Sequence, residues 1–257
     1  MDRTLGDMAG CRIDPHVKVL DDRVKASAIA NGVDAIVYAP HYTPWPSIVE
    51  QARRYSDEEL LVVPAREVFT GGMTDRRHVL ALDLEYPVPD FLDLETTMDI
   101  LAKQDACVIA PHPGYLSMSL SLSDLLRYQA QFHAVEVYNP KFLPWHEARA
   151  SRIAERIGAP KLASSYAHLR RSVGSVSIEV GSSLECPADV IAAIRTGDIT
   201  AINISTAPRR WQVSLGELMH LGWENTIQRL ARALRADLPP THPSSPLYDQ
   251  YYEGFGD

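Results

Sequence analysis

Short runs of β-branched and apolar residues alternate with stretches of helical spacing through most of this chain, and that alternation marks parallel strands joined by crossover helices. The first run, RIDPH, ends in polar residues. KVLDDRVKASAIAN follows, with Val19, Leu20, Val24, Ala28 and Ile29 at helical spacing before Asn31 and Gly32 stop it. DAIVYAPH reads as the next strand, with a helix near 47–55, and LLVVPARE and HVLALDL are two further apolar runs with a Gly-Gly turn between them. A helix near 94–103 leads to ACVIAPH, one near 122–131 to AVEVYN, and one around 145–157 to KLASSYAH and SVSIEV; a Pro-started helix near 187–196 comes next. The order predicts an α/β barrel, a TIM-like fold.

At 257 residues the chain suits one such barrel. The expected organisation is a barrel domain over 1–204, with a C-terminal helix at 215–236 and a Pro-rich, polar tail packed on or extending from it over 205–257. No apolar run approaches the roughly 20 residues that span a bilayer, and MDRTLGDMAGCRID lacks the pattern of a secretory signal, so a soluble, cytoplasmic protein is expected. Three cysteines, Cys11, Cys107 and Cys186, are odd in number and far apart, which fits buried thiols better than a disulfide framework or a CxxC zinc site. The net charge of −8 and the lack of a basic run count against nucleic acid as a partner. No GxxxxGK[ST] or strand-following GxGxxG supports nucleotide binding through a glycine-rich loop.

His16, His41, Glu67, His112 and His168 each stand at the end of an apolar run read as a strand, and His78 stands at the start of one. In a parallel barrel the C-terminal strand ends form one rim, so residues far apart in sequence converge there. One such histidine alone is more often a hydrogen-bonded rim residue; five at successive strand ends form a pattern. Imidazole and carboxylate are ligands of zinc, manganese and iron, and a glutamate can bridge two ions. Residues two apart in a strand share a face, which groups Asp14, His16 and Lys18, and likewise Tyr166 and His168.

With these residues in place, the chain resembles the polymerase and histidinol phosphatase (PHP) family of metal-dependent phosphoesterases. The likeness runs in order through RIDPHVK, GVDAIVYAPHYT, VVPAREV, RHVLAL, VIAPHPGY, AVEVYNPK and SSYAH. It implies a distorted barrel of about seven strands, (β/α)7, with up to three metals at its mouth. Residue by residue, it implies metal ligation by His16, His41, Glu67, His78, His112 and His168, with Glu67 bridging. Asp21 or Asp22 is the nearest candidate for a further ligand beside His41 and His168.

The ligand set is partly substituted. The family's opening HxH stands here as His16-Val17-Lys18, and its closing Asp-Ala-His as Tyr166-Ala167-His168. Both losses fall on one ion of the family pattern. A lysine ammonium can take a cation's place there, while a neutral or carbamylated metal-binding lysine, or a degenerate barrel, are the alternatives.

The resemblance thus implies hydrolysis of a small phosphorylated substrate by water activated on one or two divalent ions, Zn, Mn or Fe, with Lys18, Tyr166 and Glu67 as catalytic residues. Arg66, Arg170 and Lys141 are candidates for holding the phosphate, alongside Asn139 and Arg171, and Glu136 for orienting a ligand. A barrel retained for binding or regulation without turnover is the second expectation, motivated by Lys18 and Tyr166. An RNA-processing subunit is the third, and the acidic balance disfavours it. His133, His146, His220 and His242 fall outside the motifs and are expected to be structural or solvent-facing.

Overall fold

Strands covered on both faces need apolar residues at every position. The four residues of the second run, Ala35 to Tyr38, are all buried. In this computed structural model, which describes residues 10–72, 75–115, 118–223, 226 and 238–252, they form one strand of a nine-stranded sheet. The strands are β1 (Cys11–Val17), β2 (Ala35–Tyr38), β3 (Leu61–Thr70), β4 (Arg77–Leu82), β5 (Cys107–Ala110), β6 (Phe132–Tyr138), β7 (Lys161–Ala163), β8 (Val176–Val180) and β9 (Ile199–Ile204), in spatial order β7-β6-β5-β4-β3-β2-β1-β8-β9. Helices α1 (Asp22–Ala30), α2 (Trp45–Tyr55), α3 (Leu94–Lys103), α4 (Leu122–Arg127), α5 (Pro144–Ile157), α6 (Pro187–Thr196), α7 (Ala207–Trp223) and α8 (Asp249–Tyr252) complete the described chain.

The sheet curls into a nearly closed barrel with two cores. Ala35, Val37, Val63, Ala65, Leu80, Leu82, Ile109 and Ala134 fill its inside, while Ile36, Val62, Val68, Val79 and Val108 pack outward on the helices. Val190, Ala193 and Ile194 of α6 join the inner set and stop one end of the barrel, which leaves the other end as the mouth. Closure is divided along β1: its first half pairs antiparallel with β8, while at the mouth Val17 bridges Ala167 and the Lys18 amide donates to the Ala167 carbonyl at 2.9 Å.

The strands are not all parallel, as the alternation suggested. β1, β2 and β3 run together, and β5, β6 and β7 do, but β4 is antiparallel to both its neighbours. A Gly-Gly hairpin connection is too short for a parallel crossover, so β4 must return. Its start therefore lies at the rim where the other strands end, which is why His78, at a strand beginning, meets residues from strand ends.

A second departure lies in β1. Ile13 belongs to the inner core and Val17 to the outer one, although residues four apart in a regular strand share a face. The register shifts between Asp14 and Val17. Pro15, which has no N–H to lend a ladder, sits in this bulge. Asp14 thus faces outward, accepting from the Ser165 and Gly174 amides at 3.0 and 2.8 Å, while His16 and Lys18 turn into the mouth. Burial raises the Asp14 carboxyl to about 6.

Beyond α6 the chain adds β9, which the sequence pattern did not suggest, and α7 begins at Ala207 rather than 215. The end of the expected helix, 224–225 and 227–237, lies outside the described residues. The tail returns to the barrel: the Asp90 amide donates to the Thr241 carbonyl at 3.0 Å and the His242 ring packs at 4.9 Å on Phe91. Of the thiols only Cys107 is buried; Cys186 is exposed, at the start of α6. Among the described residues no helix is long and apolar enough to cross a membrane.

Candidate metal centre

Glu67 is the hub. Its place in β3 pairs it with Leu80, an inner-core residue, so its side chain points into the barrel, where it is fully buried. One carboxylate oxygen, Oε1, lies 3.0 Å from His112 Nε2, 3.3 Å from His78 Nδ1 and 3.7 Å from His16 Nε2. The other, Oε2, lies 2.6 Å from the Lys18 ammonium and 2.8 Å from His41 Nε2. Burial by itself would raise the Glu67 pKa, but Lys18, His78 and the hydrogen bonds from His112 and His41 outweigh it and hold the carboxyl well below its usual range.

The Oε1 side has the chemistry of a metal site. Glu67, His78 and His112 bring ligand atoms within 4.8 Å of one another. Both ring nitrogens of His78 and of His16, and Nδ1 of His112, are buried without a hydrogen-bond partner among the described residues. Buried polar atoms are ordinarily paired, so lone pairs left over around an anion fit a divalent cation. Burial pushes His16 and His78 down to about 4, which keeps both rings neutral and able to ligate near neutrality.

Glu136 of β6 braces this side. It lies 3.4 Å from His16 Nδ1, accepts from the His112 amide at 2.8 Å and Asn139 at 3.2 Å, and takes a short hydrogen bond from Ser164. Burial opposes its ionisation, yet the His16 contact and the other hydrogen bonds bring its pKa down to about 2. His112 and Tyr166 both hold left-handed backbone, at φ of 33° and 43°. Strain of this kind collects at functional sites.

The opposite side is built on ammonium groups. Lys18 also donates to the Ala39 carbonyl at 2.6 Å and lies 5.6 Å from the Tyr166 ring centre. Burial lowers its pKa against the pull of Glu67. Lys141 is completely buried: its ammonium donates to the Tyr166 carbonyl at 2.8 Å, lies 2.6 Å from His168 Nδ1 and 3.3 Å from Glu217, and faces the Tyr166 ring at 3.6 Å. Glu217, from α7, accepts from the His168 and Leu169 amides at 3.1 and 3.0 Å. Burial and Lys141 together hold His168 well below the ordinary histidine range. Its ring is 5.2 Å from that of His41 and 5.5 Å from that of His220, so His220 stands beside the site as well.

His16, Lys18, His41, Glu67, His78, His112, Lys141, Tyr166 and His168 thus gather at one mouth. Arg66 does not: as the neighbour of Glu67 it takes the other face of β3, where it bonds Asp90 at 2.9 Å and the Thr43 carbonyl at 2.8 Å. Arg170 pairs at the surface with Asp21, 2.5 Å away, and Asp21 caps α1 through the Val24 amide. Glu217 was not foreseen, because one acid in an amphipathic helix reads as a solvated charge.

Residues 144–199 match a family model described as PHP-associated; the segment contains Tyr166 and His168 but not Glu67, His78 or His112. No curated protein matches the chain in sequence. Among solved structures, PsfC from Pseudomonas syringae PB-5123 aligns with a TM-score of 0.63 at 18% identity, over 83% of this chain and 99% of that one. A two-domain protein from Bacteroides vulgatus ATCC 8482, containing a predicted PHP-like metal-dependent phosphoesterase, aligns at 0.57 and 15%, over 82% and 71%. An amidohydrolase from Chromobacterium violaceum, with bound sulfate and no metal, aligns at 0.52 and 13%, over 71% and 96%.

Proposed function

We propose that this chain, a PHP-type protein by its fold and its matched segment, hydrolyses a phosphate ester with a divalent ion held by Glu67, His78 and His112 and the Lys18 ammonium on the far side of the same carboxylate. The observation behind this reading is the divided use of Glu67: Oε1 contacts His112 Nε2 at 3.0 Å and faces His78 and His16, whose ring nitrogens have no hydrogen-bond partner among the described residues, while Oε2 faces a lysine at 2.6 Å. Imidazole with carboxylate suits zinc, manganese or iron. Such an ion, when bound, acidifies water and polarises a phosphoryl oxygen.

The chain's own residues supply the rest. Lys18 places a fixed positive charge beside the ion position, where it stabilises charge on phosphoryl oxygens in a site with little water. Lys141 fixes the Tyr166 backbone and the His168 ring, so that Tyr166 stands between His16, His112 and His168 with ring separations of 4.6, 5.1 and 4.9 Å. Its hydroxyl is the donor offered to the phosphoryl or leaving-group oxygen. Glu136 holds the His112 backbone and faces His16, which orients both rings.

The test combines metal analysis of the purified chain with turnover of a panel of phosphate monoesters and diesters in added zinc or manganese. Bound metal and turnover, both lost in His112→Ala, are expected. Folded wild-type protein with neither would end this reading. Metal without turnover would favour the second one, a binding barrel, for which the two buried lysines beside the metal position are the motive.

A further inference from the structure

Phe69 of β3, Tyr42 after β2 and Phe91 before α3 form a triangular cluster of nearly parallel rings beside the metal position. Tyr42 and Phe69 are 4.8 Å apart at 21°, Tyr42 and Phe91 6.1 Å at 18°, and Phe69 and Phe91 6.5 Å at 15°. Phe69 is buried and presents itself edge to face to His78 at 4.3 Å and to His41 at 5.1 Å. The cluster therefore abuts the site. Tyr42 and Phe91 are half-buried and stand further out.

Both outer residues are strained. Tyr42 has φ of 52° and Phe91 of 67°, a conformation bulky side chains avoid. Of the six described non-glycine residues with positive φ, two are aspartates, which tolerate it; the other four, Tyr42, Phe91, His112 and Tyr166, are all rings at or beside the mouth. Simple apolar packing does not need this backbone. It is what a chain adopts when the direction of a ring matters.

Arg76, from the β3–β4 connection, adds charge. Its guanidinium lies 5.1 Å from the Phe91 ring centre, and its Nε is buried with no hydrogen-bond partner among the described residues. An aromatic cluster, an unsatisfied donor and a neighbouring metal position together describe a ligand that is planar at one end and anionic at the other.

We propose that Tyr42, Phe91 and Arg76 form a subsite for the planar ring of the leaving group, so that the substrates are phosphate esters carrying an aryl or heteroaryl ring rather than short aliphatic ones. This rests on the phosphoesterase reading and specifies its substrate class. The ring lies against the exposed parts of Tyr42 and of Phe91, which His242 and Arg76 cover in part, the Arg76 Nε donates to a polar atom on its edge, and the phosphate lies towards Lys18 and Glu67.

Two phosphonates that resist hydrolysis test it without any turnover. Phenylphosphonate and methylphosphonate share the anionic head and differ in the ring. Titrated calorimetrically into the manganese-loaded full chain, the phenyl compound is expected to bind about tenfold tighter or better. In Tyr42→Asn and Phe91→Asn, which replace the ring with a residue that accepts left-handed backbone, the ratio of the two affinities should fall to within about twofold. Equal affinities in the wild type, or an undiminished ratio in both variants, would overturn the ring subsite while leaving the phosphoesterase reading in place. Binding of neither phosphonate would overturn both.

Discussion

The two sides of Glu67 are built from similar residues and do different things. On the Oε1 side, His16 and His78 have no hydrogen-bond partner at either ring nitrogen among the described residues. On the Oε2 side, His41 contacts Glu67 at 2.8 Å, and His168 has its Nδ1 within 2.6 Å of an ammonium. One half has electron pairs to spare, and the other supplies its own cations. A carboxylate between a metal position and a lysine can hold one ion firmly without needing a second. Within this one barrel mouth the charge pattern is set by single residues such as Lys18, which lies 2.6 Å from Glu67 Oε2.

The strongest way to break the comparison is to remove a ligand from the metal half. His112→Ala should strip the ion and lower phosphatase turnover to below about 1%, since several kcal/mol of transition-state stabilisation go with the metal. Unchanged metal content in that variant would mean the ion sits elsewhere.

The ammonium half breaks differently. Lys18→Met leaves Glu67 buried without its closest cation, and breaking a buried pair in this way costs about 3 to 5 kcal/mol in metal-free protein. Added metal should recover much of the loss, because the carboxylate regains a cation. Urea unfolding with and without manganese would measure both; equal losses in the two conditions would uncouple Lys18 from the metal position.

A smaller effect is expected at α7. Glu217→Gln keeps the shape but removes the charge facing Lys141 and weakens the bonds from the His168 and Leu169 amides. Destabilisation of about 1 to 3 kcal/mol should follow, with metal content unchanged. A drop in bound metal would show that the two halves are not separable.

The smallest effect is the pH response of the metal half. Folded His16 and His78 titrate at about 4, against about 6.5 in an unfolded chain, so the unfolded state binds more protons between those values. Stability from these two groups is therefore full above about 6.5 and falls as pH drops towards 4. Metal-free protein should lose on the order of 1 kcal/mol between pH 7 and pH 6. A gain in stability over that interval would mean the rings are held protonated.

Much of this site was legible before the fold, and the missed parts share a cause. His16, His41, Glu67, His112 and His168 could be placed at one rim because strand ends converge in any barrel of this kind. Strand alternation also contained the position of Arg66: if Glu67 points inward, its neighbour must point out. The bulge at Pro15 was harder, since a proline in a strand signals irregularity but not the residue at which the faces exchange. The orientation of β4 followed from its short connection rather than from its own residues. Glu217 was not legible, because its partners Lys141 and His168 lie far away in the chain and meet it only once α7 has docked.

The most direct measurement is the number of ions bound per chain, in the wild type and in Lys18→His with Tyr166→Asp, which restores the two ligands that the PHP resemblance implies are missing. Purified apo protein would be titrated with zinc or manganese and the stoichiometry read by equilibrium dialysis and elemental analysis. If Lys18 stands in for a metal, the wild type binds about one ion tightly and the double variant about two. An unchanged count in a folded double variant, or two tightly bound ions in the wild type, would contradict the division of the mouth into a metal half and an ammonium half.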